Sequence, residues 1–344
     1  DIIAIVFFAT LANANEWIEI QAFAEMNEAF LRQYLELANG IPSHDTIQRV
    51  MAIVSPDFLR KMQDIWNEML STNEGEKLKK ILAIDGKTMC GNGNKNQSPL
   101  HIVSAVSSEE GICLGQTAVK SKENEIIAIP ALLKALNIKN TVITIDAIGT
   151  QTDIAKQIIT QKGDYVLALK RNQETLYQDV VDYFDDEGLL SKCAYKTTVE
   201  KARSGLERRE YWQTCDVGWL SQKGKWMGLR SIGMTVNTIE KDRRVTQERR
   251  YYISSLPLDA GEFARCVRGH WAVESFHWHL DVTFREDANK TLEKQAALNL
   301  NIIRKLALSV LKLAEIGKPK TSMKLKRYYI CANPARFLEQ ILSL

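Results

Sequence analysis

The fold is decided by ILAIDG at residues 81–86 and TVITID at residues 141–146. Each stretch contains a short apolar run that ends in a carboxylate, and short apolar runs bounded by turn residues are typical of buried strands. Strands that are apolar throughout need cover on both faces. We therefore interpret both runs as strands in the interior of a sheet, with Asp85 and Asp146 at their carboxyl ends.

Further strands and helices alternate around these two runs. Residues 100–107 and 112–119 are β-type runs joined by residues 108–111, which predicts a hairpin. The rest of the pattern predicts a strand at 164–169 and helices at 125–136, 152–160 and 173–184. Strands that alternate with helices indicate a sheet covered on both faces, and the hairpin makes that sheet mixed. The fold class is therefore α/β, with a mixed five-stranded sheet and flanking helices.

The segments on either side of this core have different patterns. Residues 1–72 carry apolar residues at helical spacing and predict an all-helical N-terminal domain, followed by a linker at 71–75. Short β-type runs alternate with basic turns over residues 190–258, which predicts a β-rich insertion. The chain is helical from Gly261 onward. We predict four segments with the bounds 1–75, 76–189, 190–258 and 259–344, of which the last completes the core and ends in basic helices.

Asp85 and Asp146 are candidate metal ligands. If the two strands lie side by side, their carboxylates are close together, and like charges at short range are unfavourable unless a cation lies between them. Mg²⁺ prefers carboxylate oxygens and binds substrate phosphates. Taken singly, each acid has the simpler interpretation of a residue in a strand-to-turn junction. Two acids at equivalent positions of an alternating sheet favour the metal site.

A two-metal site needs a third carboxylate, and the best candidate is Glu274. On a helix, Glu274 shares a face with His270, His277 and Asp281. A carboxylate between two histidines is unusual for a plain surface, although an interfacial Glu paired with His is the alternative interpretation. The acids in the predicted helix at 173–184 fit an ordinary solvated face.

Zinc is the rival metal for this segment. Cys266 and His270 are four residues apart, which suits one helix face, but His277 and His279 are two residues apart and do not face one another. The spacing therefore argues against zinc.

The composition excludes several classes of protein. The 344 residues are 45% hydrophobic and 25% charged, which is ordinary for a globular chain and not for a disordered or fibrous one. No apolar run reaches the ~20 residues that span a bilayer. Residues 2–12 are apolar, but without a basic region before them they predict a buried helix rather than a signal peptide. Six scattered cysteines without a Cys-x-x-Cys motif predict a reduced, cytoplasmic protein.

Charge is distributed unevenly along the chain. Residues 1–80 carry 12 acidic and 7 basic side chains, whereas the remaining 264 residues carry 30 acidic and 38 basic side chains. Residues 290–330 contain ten Lys or Arg and only two Glu. A basic stretch of this kind can neutralise phosphates, although a solvated helix face is the simpler interpretation of this stretch alone.

Several strings of sequence resemble one known family. They are AIDGKT at 83–88, LHIVSA at 100–105, NEI at 124–126, TIDAIGTQ at 144–151, LALKRNQ at 167–173, RGHW at 268–271, LDVTF at 280–284, EDA at 286–288 and IPSHDT at 41–46. Together they closely resemble bacterial insertion-sequence transposases of the ISAs type, a group that includes the H-repeat-associated proteins. The resemblance covers nearly the whole chain, and strings of this length are highly specific.

The resemblance implies an RNase H-like fold with an Asp-Asp-Glu triad, carried over by position to Asp85, Asp146 and Glu274. It further implies that the three carboxylates hold two Mg²⁺ ions, for which Mn²⁺ would substitute, with Asp85 bridging both. Four further residues are expected to position DNA phosphates: Lys87, Lys170, His270 and His277.

The chain departs from the wider family pattern at a few positions. Related transposases with a β-rich insertion carry a Tyr–Arg–Glu–Lys signature around the third acid, and here the Tyr, Arg and Lys places hold Val267, His270 and Asp281. Cys90 stands where the family usually has Arg. The triad therefore matches better than the residues around it.

The resemblance implies a transposase that cuts DNA strands at the ends of an insertion sequence and joins the freed 3′ ends to target DNA. Its partner is then double-stranded DNA, bound by a homodimer or larger assembly and read at the element ends by the N-terminal helices, with no membrane partner. Two alternatives stay open: an inactive, decayed DNA-binding relative, and a host nuclease of the same fold that cuts without joining. Should Glu274 not be the third acid, Glu286 or Asp287 is next.

Overall fold

The computed structural model describes residues 1–70, 79–119, 125–202, 205–242 and 244–343. The predicted linker at 71–75 lies outside the described residues, as does the boundary between residues 75 and 76. Within the described ranges, no helix combines the length and the apolar character that crossing a bilayer requires.

Thirteen α-helices lie in the described part of the chain. They are α1 (Ile2–Leu11), α2 (Trp17–Met26), α3 (Glu28–Leu31), α4 (His44–Ile53), α5 (Pro56–Leu70), α6 (Glu125–Ala135), α7 (Thr152–Thr160), α8 (Glu174–Asp185), α9 (Glu187–Leu190), α10 (Ala260–Trp278), α11 (Lys294–Leu313), α12 (Met323–Ala332) and α13 (Pro334–Leu342).

The same residues form nine β-strands. They are β1 (Lys80–Thr88), β2 (His101–Ser107), β3 (Cys113–Val119), β4 (Thr141–Ile145), β5 (Asp164–Leu169), β6 (Ala194–Ala202), β7 (Gly205–Thr214), β8 (Ser231–Lys241) and β9 (Arg244–Ser254). Their hydrogen-bonded order is β3-β2-β1-β4-β5-β9-β8-β7-β6. β1, β4 and β5 pair in parallel, whereas β2 pairs antiparallel with β3. The protein is therefore mixed α/β, as the sequence predicts.

The sheet is larger than predicted: its described residues form nine strands rather than five. The sequence predicts a β-rich insertion at residues 190–258, and the strands of this segment extend the sheet through an antiparallel pairing of β5 with β9, in which Leu167 lies opposite Ile253. Without β9, β5 would be an edge strand with unpaired backbone N–H and C=O groups. The apolar pattern of the insertion does not reveal which strand it pairs with.

Packing divides the chain into two compact units, one of Asp1–Gly75, Gly86–Asn124 and Val273–Leu344, the other of Glu76–Asp85 and Glu125–Ala272. The predicted four-segment domain division stays a prediction.

In the second unit, the first part of α10 packs on the sheet. The buried cluster there joins β1, β4, β5 and α10 through Ile81, Val142, Val166, Phe263, Cys266 and Val267. Gly233 on β8 allows this close approach, because a Cβ atom at that position would lie 2.3 Å from the ring of Phe263. The sheet therefore fixes the position of residues 260–272 of α10.

In the first unit, the N-terminal helices pack on α11. The apolar α1 is buried, as predicted for residues 2–12, and Ile5 and Leu11 are completely inaccessible to solvent. Polar side chains also join these helices, since Trp17 Nε1 donates to Thr291 Oγ1 at 2.8 Å and Asn299 Nδ2 donates to the Met51 carbonyl at 2.7 Å. The N-terminal helices therefore share one core with the C-terminal ones.

Much of the basic charge in residues 290–330 points into this core. The buried cations are Arg304, Lys305, Lys326 and Arg327. Lys305 Nζ donates to Ser104 Oγ at 2.7 Å, and Arg327 Nη2 donates to the Thr10 carbonyl at 2.8 Å. The number of basic residues in this stretch therefore exceeds the number of basic groups at the surface. Its exposed lysines include Lys290, Lys318, Lys320 and Lys324.

Candidate active site

Asp85 and Asp146 occupy equivalent positions on two neighbouring parallel strands, because each directly follows one residue of the same cross-strand pair. Ile84 on β1 lies opposite Ile145 on β4, so the two acids are the next residues on strands that lie about 4.8 Å apart. β4 ends at Ile145, but β1 continues to Thr88. Asp146 therefore lies at the end of its strand, as expected, whereas Asp85 lies within β1. The two strands are neighbours in the sheet, as predicted.

The electrostatic surroundings of Asp146 are negative. Burial raises the pKa of Asp146 above its ordinary value, and the charges of Asp85 and Glu125 raise it further. Two backbone N–H groups oppose the shift, since those of Ile148 and Gly149 donate to Asp146 Oδ1 at 3.1 and 3.4 Å. The net shift is upward, so the ionised carboxylate is poorly compensated. A divalent cation at this position would supply the missing compensation.

Glu125 is a further acid whose charge acts on Asp146, and its sequence context does not mark it as a candidate site residue. It begins α6, and only 3% of its surface is exposed. An acid in the first turn of a helix is ordinary, because the helix dipole favours it there. Glu125 belongs to the NEI string that carries the family resemblance, but that string gives it no role, and only the fold shows that its charge acts on Asp146.

His270 is tied to the strand that leads to Asp146. Its Nδ1 lies 3.0 Å from the Oγ1 of Thr144 on β4, and Thr144 is two residues before Asp146. One turn before Glu274 on α10, this hydrogen bond joins the helix to β4. The prediction that His270 contacts a DNA phosphate stays a prediction.

Glu274 lies on a helix, α10, as the sequence predicts, and its role as the third acid stays a prediction. The packing division places it in the first unit and places Asp85 and Asp146 in the second, so convergence of the three stays a prediction. Across the described ranges, no group of three or more His, Cys, Asp or Glu side chains is arranged to hold a metal ion. The side chains that the fold does bring together, Asp85 and Asp146, have the oxygen donors and negative charge that suit a divalent cation.

The helix face predicted around Glu274 ends earlier than expected. His270, Glu274 and His277 all lie within α10, but α10 ends at Trp278 and residues 279–283 form a π-helical turn. Asp281 is therefore outside the α-helical repeat that would align it with Glu274. π-Helical turns often occur at functional sites, and no local sequence signal announces this one.

Asp281 instead contacts Lys87 on β1. The Lys87 Nζ lies 2.7 Å from Asp281 Oδ1, 3.2 Å from Glu286 Oε2 and 3.1 Å from Asp287 Oδ1. Burial alone would lower the pKa of Lys87, but Glu286, Asp281 and Asp287 outweigh it and hold the pKa above its ordinary value. The ammonium is charged and is surrounded by carboxylates.

The other two predicted DNA contacts differ in accessibility. Lys170 directly follows β5 and is exposed, so its ammonium can reach a phosphate. His277 is 8% exposed, and a contact from its ring to DNA would need its surroundings to open. Both contacts stay predictions.

Two family models match the chain. A family model described as Transposase DDE domain matches residues 76–310, and a model described as DDE_Tnp_1-associated matches residues 1–67. The chain is 35% identical over 352 residues to Putative transposase YncI of Escherichia coli O157:H7, covering 100% of this chain and 88% of that protein. It is 33% identical over 336 residues to H repeat-associated putative transposase YhhI of Escherichia coli K12, covering 95% and 88%.

One solved structure resembles the chain weakly. The piggyBac transposase in a synaptic complex with hairpin DNA aligns with a TM-score of 0.46 and 12% identity, over 100% of this chain and 73% of that chain.

Proposed function

The chain belongs to the DDE transposase family, and on that premise we propose that it cleaves DNA strands at the ends of an insertion sequence and joins the freed 3′ ends to target DNA. The observation that carries this proposal is the position of Asp85 and Asp146, which directly follow the paired residues Ile84 and Ile145 on neighbouring parallel strands. The order β3-β2-β1-β4-β5 around them supports an RNase H-like core for the same reaction.

Members of this family generally use divalent metal ions. In the proposed site Asp85, Asp146 and Glu274 are the ligands, Mg²⁺ is the natural ion, and Mn²⁺ substitutes for it. When bound, two such ions supply Lewis-acid activation of the attacking oxygen and charge stabilisation of the leaving oxygen in an in-line displacement at phosphorus. The upward pKa shift of Asp146 supports this assignment, because a carboxylate that lacks compensating positive charge gains most from a cation.

The protein's own side chains orient the DNA. Lys170, exposed at the end of β5, binds a phosphate beside the acid pair. His270 joins α10 to β4 through its hydrogen bond with Thr144 and so helps to position this helix for the DNA substrate. His277 is a further proposed phosphate contact. Lys87, the remaining contact expected from the sequence, is the weakest of the set, because Asp281 and Asp287 compete with a phosphate for its ammonium.

Cationic and aromatic side chains of the second unit offer a surface for the DNA backbone. The guanidinium groups of Arg250 and Arg268 lie 5.5 and 5.8 Å from the ring centre of Trp271. Trp271 is 40% exposed. Guanidinium groups at the surface bind phosphate oxygens in two-point contacts, so this surface suits double-stranded DNA. Two copies of the chain, one for each element end, are the simplest active assembly.

The test is a joining assay with the full chain, Mg²⁺ or Mn²⁺, target plasmid and DNA that carries the inverted repeats flanking the coding region. We expect strand cleavage at the repeats and covalent joining to the plasmid. Asp146→Asn should abolish both products, whereas Asp182→Asn on the exposed side of α8 should not. Cleavage without joining would make the protein a nuclease, and repeat binding without cleavage would make it an inactive relative.

A further inference from the structure

Lys87 and Asp85 lie on the same face of β1. They are two residues apart on a strand that continues to Thr88, and side chains alternate between faces along a strand. Any constraint on the Lys87 side chain therefore also constrains the direction in which β1 leads away from Asp85.

The carboxylates that bind Lys87 follow α10 in sequence. Asp281 lies in the π-helical turn, and Glu286 and Asp287 begin the short helical turn after it. Asp281 is seven residues after Glu274. The ammonium of Lys87 thus binds residues 281–287, the segment that directly follows the helix of Glu274.

Other contacts hold these carboxylates in place. Glu286 is buried, accepts a hydrogen bond from Asn301 Nδ2 at 2.8 Å and lies 4.0 Å from Arg304 Nη1. Asp287 Oδ1 also accepts from the backbone N–H of Cys90 at 3.1 Å. A Cβ atom at Gly91 would lie 2.3 Å from the carbonyl oxygen of Asn289. The backbone after β1 and the backbone of residues 287–289 are therefore packed directly against each other.

The charge balance makes this cluster a poor phosphate site. One ammonium faces three carboxylates, and only 10% of the Lys87 side chain is exposed. A phosphate that approached Lys87 would also approach Asp281 and Asp287, and like charges at such distances repel.

We propose that Lys87 is a positioning residue, which clamps the end of β1 to residues 281–287 and so fixes Asp85 and Glu274 for cleavage. This proposal rests on the proposed function of those two acids. In this proposal Lys87 makes an internal contact instead of a phosphate contact. Asp281, which occupies the position of Lys in the family signature, binds Lys87 of β1 from the π-helical turn.

The test measures single-turnover cleavage of element-end DNA by the full chain, together with its affinity for the same DNA in Ca²⁺. Asp281→Asn should slow cleavage about 10-fold or more, because small displacements of reacting groups cost up to about 10²-fold, and DNA affinity should change less than about twofold. Lys87→Gln should slow cleavage further, and Lys87→Arg should recover part of the rate. The Mn²⁺ concentration for half-maximal cleavage should rise in Asp281→Asn.

Two features keep the test decisive. Asp281 and Asp287 are partly exposed, at 34% and 38% of their side chains, so Asp281→Asn and Asp287→Asn are expected to fold even if Lys87→Gln does not. Asp182→Asn is the control for loss of one acidic charge. Asp85→Asn reports on the proposed function itself, so its full activity would remove that function rather than only the clamp.

The clamp is overturned if Asp281→Asn cleaves within about twofold of the parent. It is also overturned if Lys87→Gln weakens DNA binding while Asp281→Asn tightens it, because that pair of effects identifies a phosphate contact.

Discussion

Thr144 Oγ1 and His270 Nδ1 lie 3.0 Å apart, and this hydrogen bond joins β4 to α10 beside the proposed active site. Thr144 is 2% exposed, so its hydroxyl has little access to water as an alternative partner. The bond therefore contributes to the position of α10 as well as to stability.

Thr144→Val should destabilise the protein by about 1–2 kcal/mol, because it removes the hydroxyl and leaves His270 Nδ1 without this partner. Urea unfolding measures the change. Thr141→Val at the start of β4 is the matched control and should cost less. Equal losses in the two variants would show that the bond to His270 contributes nothing.

Gly233→Ala should destabilise the protein by about 1–3 kcal/mol, because the added methyl group overlaps the ring of the buried Phe263 and pushes α10 from the sheet. Gly218→Ala is the control, since a Cβ atom there meets nothing within 4 Å. Thermal unfolding of both variants measures the effect. A melting temperature for Gly233→Ala at or above that of Gly218→Ala would contradict the packing of α10 on β8.

Asp146 should make the stability of the metal-free protein depend on pH. Its pKa is raised in the folded state, so the folded protein binds its proton at a higher pH than the unfolded chain does. The contribution of Asp146 is therefore unfavourable at neutral pH and is relieved as the pH falls through the raised value.

Asp146→Asn should accordingly raise the melting temperature of the metal-free protein at neutral pH, and the gain should shrink as the pH falls. Melting curves with a chelator, from pH 7 to pH 4, measure this. A gain in melting temperature that does not change with pH, or a lower melting temperature at pH 7, would show that the ionised Asp146 carboxylate does not destabilise the metal-free protein.

Lys170→Ala should weaken DNA binding and reduce the dependence of log K on log salt by about one unit, because one phosphate contact is lost. Fluorescence anisotropy at several salt concentrations measures both. Lys139→Ala, an exposed lysine before β4, should leave the slope unchanged. An unchanged slope for Lys170→Ala would remove this residue from the DNA contacts.

The parts of the fold that follow from local pattern are predictable from the sequence. Apolar runs locate β1, β4 and β5, and they correctly place Asp85 and Asp146 directly after paired residues of neighbouring strands. The metal-binding role of the two acids stays a prediction. Helical periodicity likewise gives α6 and α8 within a residue of their ends.

The parts that depend on long-range pairing are not predictable in this way. Backbone hydrogen bonds between β5 and β9 carry no side-chain signature, so the sequence does not show that the insertion extends the sheet. Lys87 and Asp287 are 200 residues apart in sequence, and nothing near either residue indicates the other. Arg304 and Arg327 count as surface charge in a composition although both are buried.

The most direct measurement of the central assignment is Mn²⁺ binding followed together with DNA cleavage. Calorimetric titration of the full chain on element-end DNA, with single-turnover cleavage of the same DNA, should show that Asp85→Asn, Asp146→Asn and Glu274→Gln each weaken Mn²⁺ binding and abolish cleavage while DNA affinity stays near that of the parent. Asp182→Asn should match the parent in all three measurements. Full Mn²⁺ binding and normal cleavage by any one of the three variants would exclude that residue from the metal site and contradict the triad.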